Sequence, residues 1–85
     1  EETPVVFAEL YPNPSSDFVH LVMDIREGAT ISIFDQSGKE VYQERLSQSG
    51  MQKRYLDISQ WSRGYYVVEI RTAHGVQHLK LIKSE

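Results

Sequence analysis

The 85-residue sequence contains no cysteine, and this absence excludes several kinds of chemistry. Without thiols the chain cannot form disulfide bonds, use a thiolate nucleophile or build a thiolate metal site. The absence does not fix a cellular compartment, because cysteine-free exported proteins exist. No apolar run approaches the about 20 residues that a transmembrane helix needs. The sequence also lacks an initiator methionine and a charged-then-apolar signal segment, so we expect a piece of a longer protein.

An excess of basic residues is also missing. Nine Lys and Arg stand against twelve Asp and Glu, a net charge of −3, which argues against a nucleic-acid partner. The charge is uneven: residues 1–27 hold six acids and one base, or −5. Residues 71–85 hold Arg71, Lys80 and Lys83 against Glu85, or +2. The C-terminal end is therefore locally basic.

The chain is too short for more than one domain, so we treat residues 1–85 as one unit, with residues 1–4 as the end of a linker. Its small core argues against a deep enzyme cleft. No 3.6-residue helical period of useful length occurs. Apolar residues instead alternate with a period of two, as in Val19, Leu21, Met23 and Ile25, which is typical of half-buried strands.

This alternation predicts seven short strands separated by turn residues. They fall near residues 5–10, 18–25, 31–34, 41–46, 51–58, 65–71 and 76–83. Turn signals recur about every 8–12 residues, which is the spacing expected for β-sandwiches. We therefore predict an all-β, immunoglobulin-like antiparallel β-sandwich. In the last strand, the pattern leaves open whether Leu79 and Leu81 or Val76 and Ile82 face inward.

Turn chemistry marks three connections. Tyr11-Pro12-Asn13-Pro14 is a rigid, extended corner, because its prolines restrict the backbone on both sides. Residues 35–38 form a hairpin loop in which Gly38 takes positive φ. Residues 57–64 contain capping residues and a glycine, so we expect one helical turn or a tight loop that crosses between sheets, with Trp61 closing one end.

Candidate catalytic or metal-binding residues are few. His74 and His78 are separated by a glycine turn and have no third ligand within reach in the sequence, which argues against a metal site. The serines and aspartates are explained by turn chemistry. The residues therefore predict no enzyme and no cofactor. Phe34 and Tyr65 are predicted to face outward, which leaves open a carbohydrate-binding module that uses Phe34, Tyr42 or Tyr65. A purely structural spacer is another alternative.

Five short motifs occur in a fixed order along the chain. They are Tyr11-Pro12-Asn13-Pro14, Ile33-Phe34-Asp35-x-x-Gly38-Lys39, Leu56-Asp57-Ile58, Gly64-x-Tyr66-x-Val68-x-Ile70 and Lys80-Leu81-Ile82-Lys83. Each is weak alone, but the ordered set, from about residue 10 to residue 85, closely resembles the C-terminal sorting domain of type IX secretion cargo proteins in Bacteroidetes. The sequence departs from that pattern in Phe34 where Tyr is usual, Trp61 where Leu is commoner and Tyr65 where Ile often stands.

The resemblance implies a non-catalytic sorting signal that follows a cargo domain. Such domains direct the cargo through the periplasm and the outer-membrane translocon, with its shuttle proteins, to the cell surface or medium. A sortase-like cysteine peptidase usually removes the domain there. Most of the signal lies in the last twenty or so residues, here 64–85. The recognition residues that the resemblance implies are Tyr11, Pro12, Asn13, Pro14, Asp35, Gly38, Lys39, Gly64, Tyr66, Val68, Ile70, Lys80 and Lys83.

The same residues can be read from physical chemistry alone. The glycines are interpreted as turn or cap residues and the prolines as a rigid corner, and Tyr66 and Ile70 are predicted to belong to the core. The final hairpin presents an edge strand to which a receptor strand can be added. Lys80 and Lys83 would make that edge basic and suited to an acidic receptor surface. An unpaired edge would also allow an isolated domain to dimerise or swap strands.

Overall fold

A computed structural model describes residues 7–84, and the regular structure in that range is β-strand throughout. The strands are β1 (Phe7–Tyr11), β2 (Phe18–Ile25), β3 (Ala29–Phe34), β4 (Glu40–Leu46), β5 (Gly50–Asp57), β6 (Gly64–Thr72) and β7 (Gly75–Lys83). The predicted all-β class and the seven strands are confirmed. The predicted linker end at residues 1–4 and the first two residues of the strand expected at 5–10 lie outside the described residues. Between residues 7 and 84, no helix long and apolar enough to cross a membrane is found.

The strands form two antiparallel sheets. One has the order β1-β2-β5 and the other the order β4-β3-β6-β7. Strands one, two and five thus share one sheet and strands three, six and seven the other, as in immunoglobulin-like sandwiches. β4 extends the second sheet beside β3, and the register shifts between Ile33 and Phe34, where Val41 of β4 is the extra residue of a β-bulge. The predicted sandwich class is confirmed.

The core lies between the sheets and follows the alternation of the sequence. Its fully buried side chains come from both layers: Val19, Leu21, Met23, Ile25, Ile31, Ile33, Ile58, Val68, Ile70 and Leu81. The open question about β7 is resolved, because Leu81 is fully buried and Leu79 packs against the core, whereas Val76 is exposed. Each such apolar side chain adds about 1.5–3 kcal/mol when removed from water.

A polar network bridges the two sheets along one side of the sandwich. Arg54 of β5 pairs with Glu44 of β4 through an Nε–Oε2 distance of 2.8 Å. The Tyr42 hydroxyl donates to the other Glu44 oxygen at 2.6 Å. Burial, together with this hydrogen bond to a carboxylate, raises the pKa of Tyr42 to about 12. The network therefore holds β4 and β5 together at the edge of the core.

Three loops meet at one end of the sandwich, which we call the motif end: residues 12–17, 35–39 and 58–63, together with the end of β7. They share this end because the strands that they join are antiparallel. The Ile58 N–H donates to the Asp17 carbonyl at 3.0 Å, which ties the first loop to the third. The predicted crossing at 57–64 is a tight turn, closed by a 3.0 Å hydrogen bond from Trp61 N–H to the Ile58 carbonyl.

Candidate recognition site

The proline corner at residues 11–14 lies against the last strand of the domain. The Asn13 side chain makes two hydrogen bonds to β7: Nδ2 donates to the Lys80 carbonyl at 2.8 Å, and Oδ1 accepts from the Ile82 N–H at 3.0 Å. Both X-Pro bonds of the corner are cis. The amide of Asn13 thus pairs with β7 as a neighbouring strand would.

Ser15 continues this pairing. Its N–H donates to the Ile82 carbonyl at 3.0 Å, and its carbonyl accepts from the Ser84 N–H at 2.8 Å. The Ser15 hydroxyl donates to the Phe18 carbonyl, which fixes the turn into β2. The corner therefore covers the edge of β7 from Lys80 onward and joins the first motif to the last.

The second motif builds its own loop. The carboxylate Oδ1 of Asp35 accepts hydrogen bonds from the Ser37 N–H at 2.9 Å, the Ser37 hydroxyl at 2.7 Å and the Lys39 N–H at 2.9 Å. These donors, led by the Ser37 hydroxyl, hold the pKa of Asp35 below its ordinary value. Gly38 has φ of +91°, as expected for the turn. Asp35 and Gly38 thus fix the loop, and Lys39 stays exposed at its end.

At Gly64, the start of β6 packs closely against the loop at residues 35–39. Its φ is +145°, and a Cβ there would lie 2.5 Å from Oε1 of Gln36. That oxygen accepts a hydrogen bond from the Tyr65 N–H at 3.0 Å. The backbone angle therefore favours glycine at residue 64, and a larger residue would displace the Gln36 side chain that joins the 35–39 loop to β6.

An open groove of about 370 Å³ lies between the loop at residues 35–39 and the loop at residues 58–63. Trp61 forms part of its wall, and its ring lies 4.9 Å from that of Tyr66, so Trp61 packs over the end of the core as the sequence predicts. The Tyr66 hydroxyl donates to the Ser62 carbonyl at 2.5 Å. Burial, with a smaller contribution from Asp35, raises the pKa of Tyr66. These contacts make Tyr66 a structural residue.

Alternation divides the residues of the final hairpin into two sets. Tyr66, Val68 and Ile70 are buried between the sheets. The next residues along β6, Tyr65 and Val67, lie on the outer face, where Tyr65 is 53% exposed. The motif positions Tyr66, Val68 and Ile70 are therefore inaccessible from the surface of the folded domain, whereas the intervening residues Tyr65 and Val67 are accessible.

The two lysines of the last motif have different environments. Lys80 lies on the outer face with its Nζ 4.5 Å from the centre of the Tyr65 ring, a cation–π geometry. Lys83 is only 5% exposed, and its Nζ donates to the Ser84 carbonyl at 2.9 Å. The expectation that both lysines make the edge basic is thus wrong for Lys83, because residue 83 shares the inward face of Leu81.

The three aromatic residues that leave open a carbohydrate-binding role have different environments. Tyr42 is half-buried and bonded to Glu44, and Phe34 is half-buried. Tyr65 is exposed, with the Lys80 ammonium near its ring. A different cluster covers the outer face of the three-stranded sheet. Its members are Tyr11, Phe18, His20 and Tyr55, with ring centres 5.3–5.7 Å apart.

This outer-face cluster arises from strand register. Tyr11 pairs with His20 across β1 and β2, and His20 pairs with Tyr55 across β2 and β5, so three strands place their rings in one row. Tyr55 is 62% exposed, whereas the rings cover His20. The His20 Nδ1 is buried and has no hydrogen-bond partner within residues 7–84. Sequence reasoning missed this cluster, because the cross-strand register is not visible from alternation alone.

The histidines of the β6–β7 hairpin pair separately with carboxylates. His74 Nε2 lies 3.9 Å from Glu27, and His78 Nε2 lies 3.3 Å from Glu69. Glu69 also accepts from Arg71 at 2.8 Å. Burial opposes ionisation of Glu69, but these two donors outweigh it and lower its pKa. In the described part of the chain, no cluster of three or more ligand-type side chains is placed to hold a metal ion.

A comparison with known protein families found a match that covers nearly the whole chain. Residues 9–84 match the family of secretion system C-terminal sorting domains. The chain belongs to this family. A search of curated proteins gave no significant match. The sorting domain carries a type IX secretion signal, which implies a cargo protein attached to it, contact with the secretion machinery and export to the cell surface or extracellular space.

The structure of the sorting domain brings most of the predicted residues together. The corner, Asp35, Gly38, Lys39, Gly64 and Lys83 meet at the motif end. Val68 and Ile70 lie deeper in the core. Sequence reasoning missed the pairing of Asn13 and Ser15 with β7, although Asn13 is the only asparagine in the chain and lies between two prolines.

Proposed function

We propose that residues 1–85 act as a non-catalytic signal that the type IX translocon and its shuttle proteins recognise in the folded state. The cargo then crosses the outer membrane, and a sortase-like cysteine peptidase removes the domain. The observation that carries this proposal is the convergence of the family motifs at one end of the sandwich, where they hold the final hairpin with one face outward.

The use of the carboxylates supports a non-catalytic role. Asp35 and Asp57 accept hydrogen bonds within their own turns, from Ser37 and Ser59 respectively. Glu44 and Glu69 are paired with arginines. These acids stabilise turns and strands, and their geometry is not that of a general acid and base placed around a substrate.

Within residues 64–85, the outer face of the hairpin is the surface that we assign to the receptor. It carries Tyr65, Val67 and Lys80, whereas the inner face is covered by the other strands. The hairpin also pairs with β3 and with the corner. We therefore expect the full domain to direct export more efficiently than residues 64–85 alone, because the isolated hairpin loses both supports.

A secretion assay tests the proposal. Residues 1–85, and separately residues 64–85, are fused behind a fluorescent protein that is directed to the periplasm of a bacterium with a working type IX translocon. We expect fluorescence at the surface or in the medium, and its loss in a translocon-null strain. The mass of the exported cargo reports whether the domain has been removed. A folded fusion that stays in the periplasm would contradict the proposal.

A second candidate function rests on the cluster Tyr11, Phe18, His20 and Tyr55. Exposed rings next to hydroxyl and imidazole groups can stack on sugars and hydrogen-bond to them, so a carbohydrate-binding role has a physical basis here. Binding of the purified domain to a glycan array, lost in Tyr55→Ala but kept in Tyr65→Ala, would support it. Absence of glycan binding in the wild-type domain would contradict this function and indicate that the cluster only packs over the outer face of the three-stranded sheet.

A further inference from the structure

Within residues 7–84, part of the β7 edge has no strand beside it. In an antiparallel strand, the N–H and C=O groups of alternate residues point to the same side. On β7, Asn13 bonds to the Lys80 carbonyl and the Ile82 N–H, and Ser15 bonds to the Ile82 carbonyl. Because the register with β6 is regular, the backbone groups of Val76 and His78 point to this side too. No residue in the range 7–84 hydrogen-bonds to them from that side.

The other edges are less open to a new strand. β4 and β5 each carry three charged residues, and β4 contains the bulge. The described part of β1 spans five residues and carries a charge at Glu9. Charges, bulges and shortness are the usual protections of sheet edges. Residues 75–79 of β7 carry no formally charged residue, no proline and no bulge, so this stretch is the least protected edge in the described structure.

We propose that the secretion machinery recognises the domain by adding an extended segment to β7 over residues 76–80, and that this segment carries an acidic residue facing Lys80. This inference rests on the proposed function. The corner stops the added strand at Lys80, because Asn13 and Ser15 occupy the edge beyond it. Strand addition takes its affinity from main-chain hydrogen bonds and its specificity from neighbouring side chains.

Charge around the edge indicates the acidic partner. Glu69 neutralises Arg71 and contacts His78. Lys80 contacts the Tyr65 ring, and in the described structure no carboxylate pairs with its ammonium. Among residues 7–84, Lys80 is therefore the positive charge left unneutralised beside the free edge, and an acidic side chain on the added strand would pair with it. Val76, exposed at the other end, offers an apolar contact.

The test separates backbone pairing from side-chain contacts. His78→Pro removes the outward N–H of residue 78, which β6 does not use, so the sheet ladder is retained. His78→Thr removes the same imidazole and keeps the N–H, and is the matched control. Both are measured in the export assay with the full cargo fusion, and folding of each variant is checked by Trp61 fluorescence of the purified domain. We expect export to fall at least about tenfold for His78→Pro and to stay near wild type for His78→Thr.

A charge reversal tests the second half of the proposal without changing the backbone, and it also serves if His78→Pro does not fold. Lys80→Glu should reduce export more than Lys80→Gln, since only the glutamate repels an acidic partner. Equal export of wild type, His78→Pro and Lys80→Glu in folded form would overturn the inference while leaving the sorting role intact. Failure of the wild-type fusion to depend on the translocon would overturn both.

A second copy of the domain is the other occupant that the edge can accept. Size-exclusion chromatography of the purified wild-type domain and of His78→Pro distinguishes it. A wild-type dimer that becomes a monomer in His78→Pro, together with normal export of that variant, would assign the edge to self-association and overturn the receptor strand. A wild-type monomer with impaired export of His78→Pro supports the proposal.

Discussion

Asn13 donates a 2.8 Å hydrogen bond from its side chain to the main-chain carbonyl of Lys80, 67 residues further along the chain. The same side chain accepts from the Ile82 N–H. The first and last family motifs are thus in direct contact. The corner covers the end of the last strand and keeps its position beside β6 fixed.

Replacing Asn13 tests this contact. Asn13→Ala removes both hydrogen bonds and leaves the Lys80 carbonyl and Ile82 N–H exposed or unpaired. We expect a loss of about 1–3 kcal/mol in the free energy of unfolding, measured by urea denaturation with Trp61 fluorescence. Amide exchange at Ile82 should become faster than in the wild type. Unchanged stability and unchanged exchange at Ile82 would show that the corner does not hold β7.

Gly64 should tolerate substitution less well than Gly50, the glycine at the start of β5. Both have positive φ, but a Cβ at Gly64 meets Gln36, whereas a Cβ at Gly50 meets no heavy atom within 4 Å. We expect Gly64→Ala to cost about 1–3 kcal/mol, and Gly50→Ala less. Thermal unfolding of the two variants makes the comparison.

Removing Gln36 separates the two causes at Gly64. Gln36→Ala alone loses the hydrogen bond to the Tyr65 N–H, at a cost of about 1 kcal/mol. The double variant Gln36→Ala/Gly64→Ala should be more stable than the sum of the single effects predicts, because the contact with the new Cβ is gone. Strict additivity would indicate that backbone strain alone makes Gly64 necessary.

Asp35 should make the domain less stable in acid. Its folded-state pKa lies below the ordinary value of 3.8, because Ser37 and Lys39 donate to the carboxylate. A depressed pKa gives stabilisation that is complete above the unfolded value and is lost as the pH falls through the folded value. Wild type should therefore be more stable than Asp35→Asn at neutral pH, and the two should converge at low pH. Parallel curves down to low pH would refute this.

Tyr42 should make the domain less stable as the pH rises into the basic range. Its pKa of about 12 lies above the ordinary value of 10, so its stabilisation is complete below pH 10 and is lost between about pH 10 and 12. Tyr42→Phe should flatten part of this decline. Chemical denaturation at several pH values measures the slope, and absorbance at high pH reports the tyrosinates. A slope in Tyr42→Phe identical to that of the wild type would contradict the assignment.

Much of this fold is predictable from local pattern. The period of two placed Val19, Leu21, Met23 and Ile25 on one face, and the structure buries that face. The glycine turn at Gly38 also followed from local chemistry. In β7, however, both faces carried apolar residues, so alternation alone did not distinguish Leu81 from Ile82, and the choice depended on the opposing sheet.

Residues distant in sequence explain where the predictions fell short. The sequence predicts Lys83 at the surface, but residue 83 shares the inward face of Leu81 and is buried. The row Tyr11, His20 and Tyr55 requires the pairing of three strands that come from separate parts of the chain. The candidate edge over residues 76–80 could be bounded only when the corner was seen to occupy the rest of β7.

The sequence by itself determined the strand segments, the turns and the family, because alternation, glycine and proline act through neighbouring residues. Only the tertiary structure decided which motif residues support the fold and which outward groups are open to a partner. Those outcomes depend on sheet order and register, which follow from packing two sheets around one core. The contact between Asn13 and Lys80 is of this second kind, since no local preference brings together residues 67 positions apart.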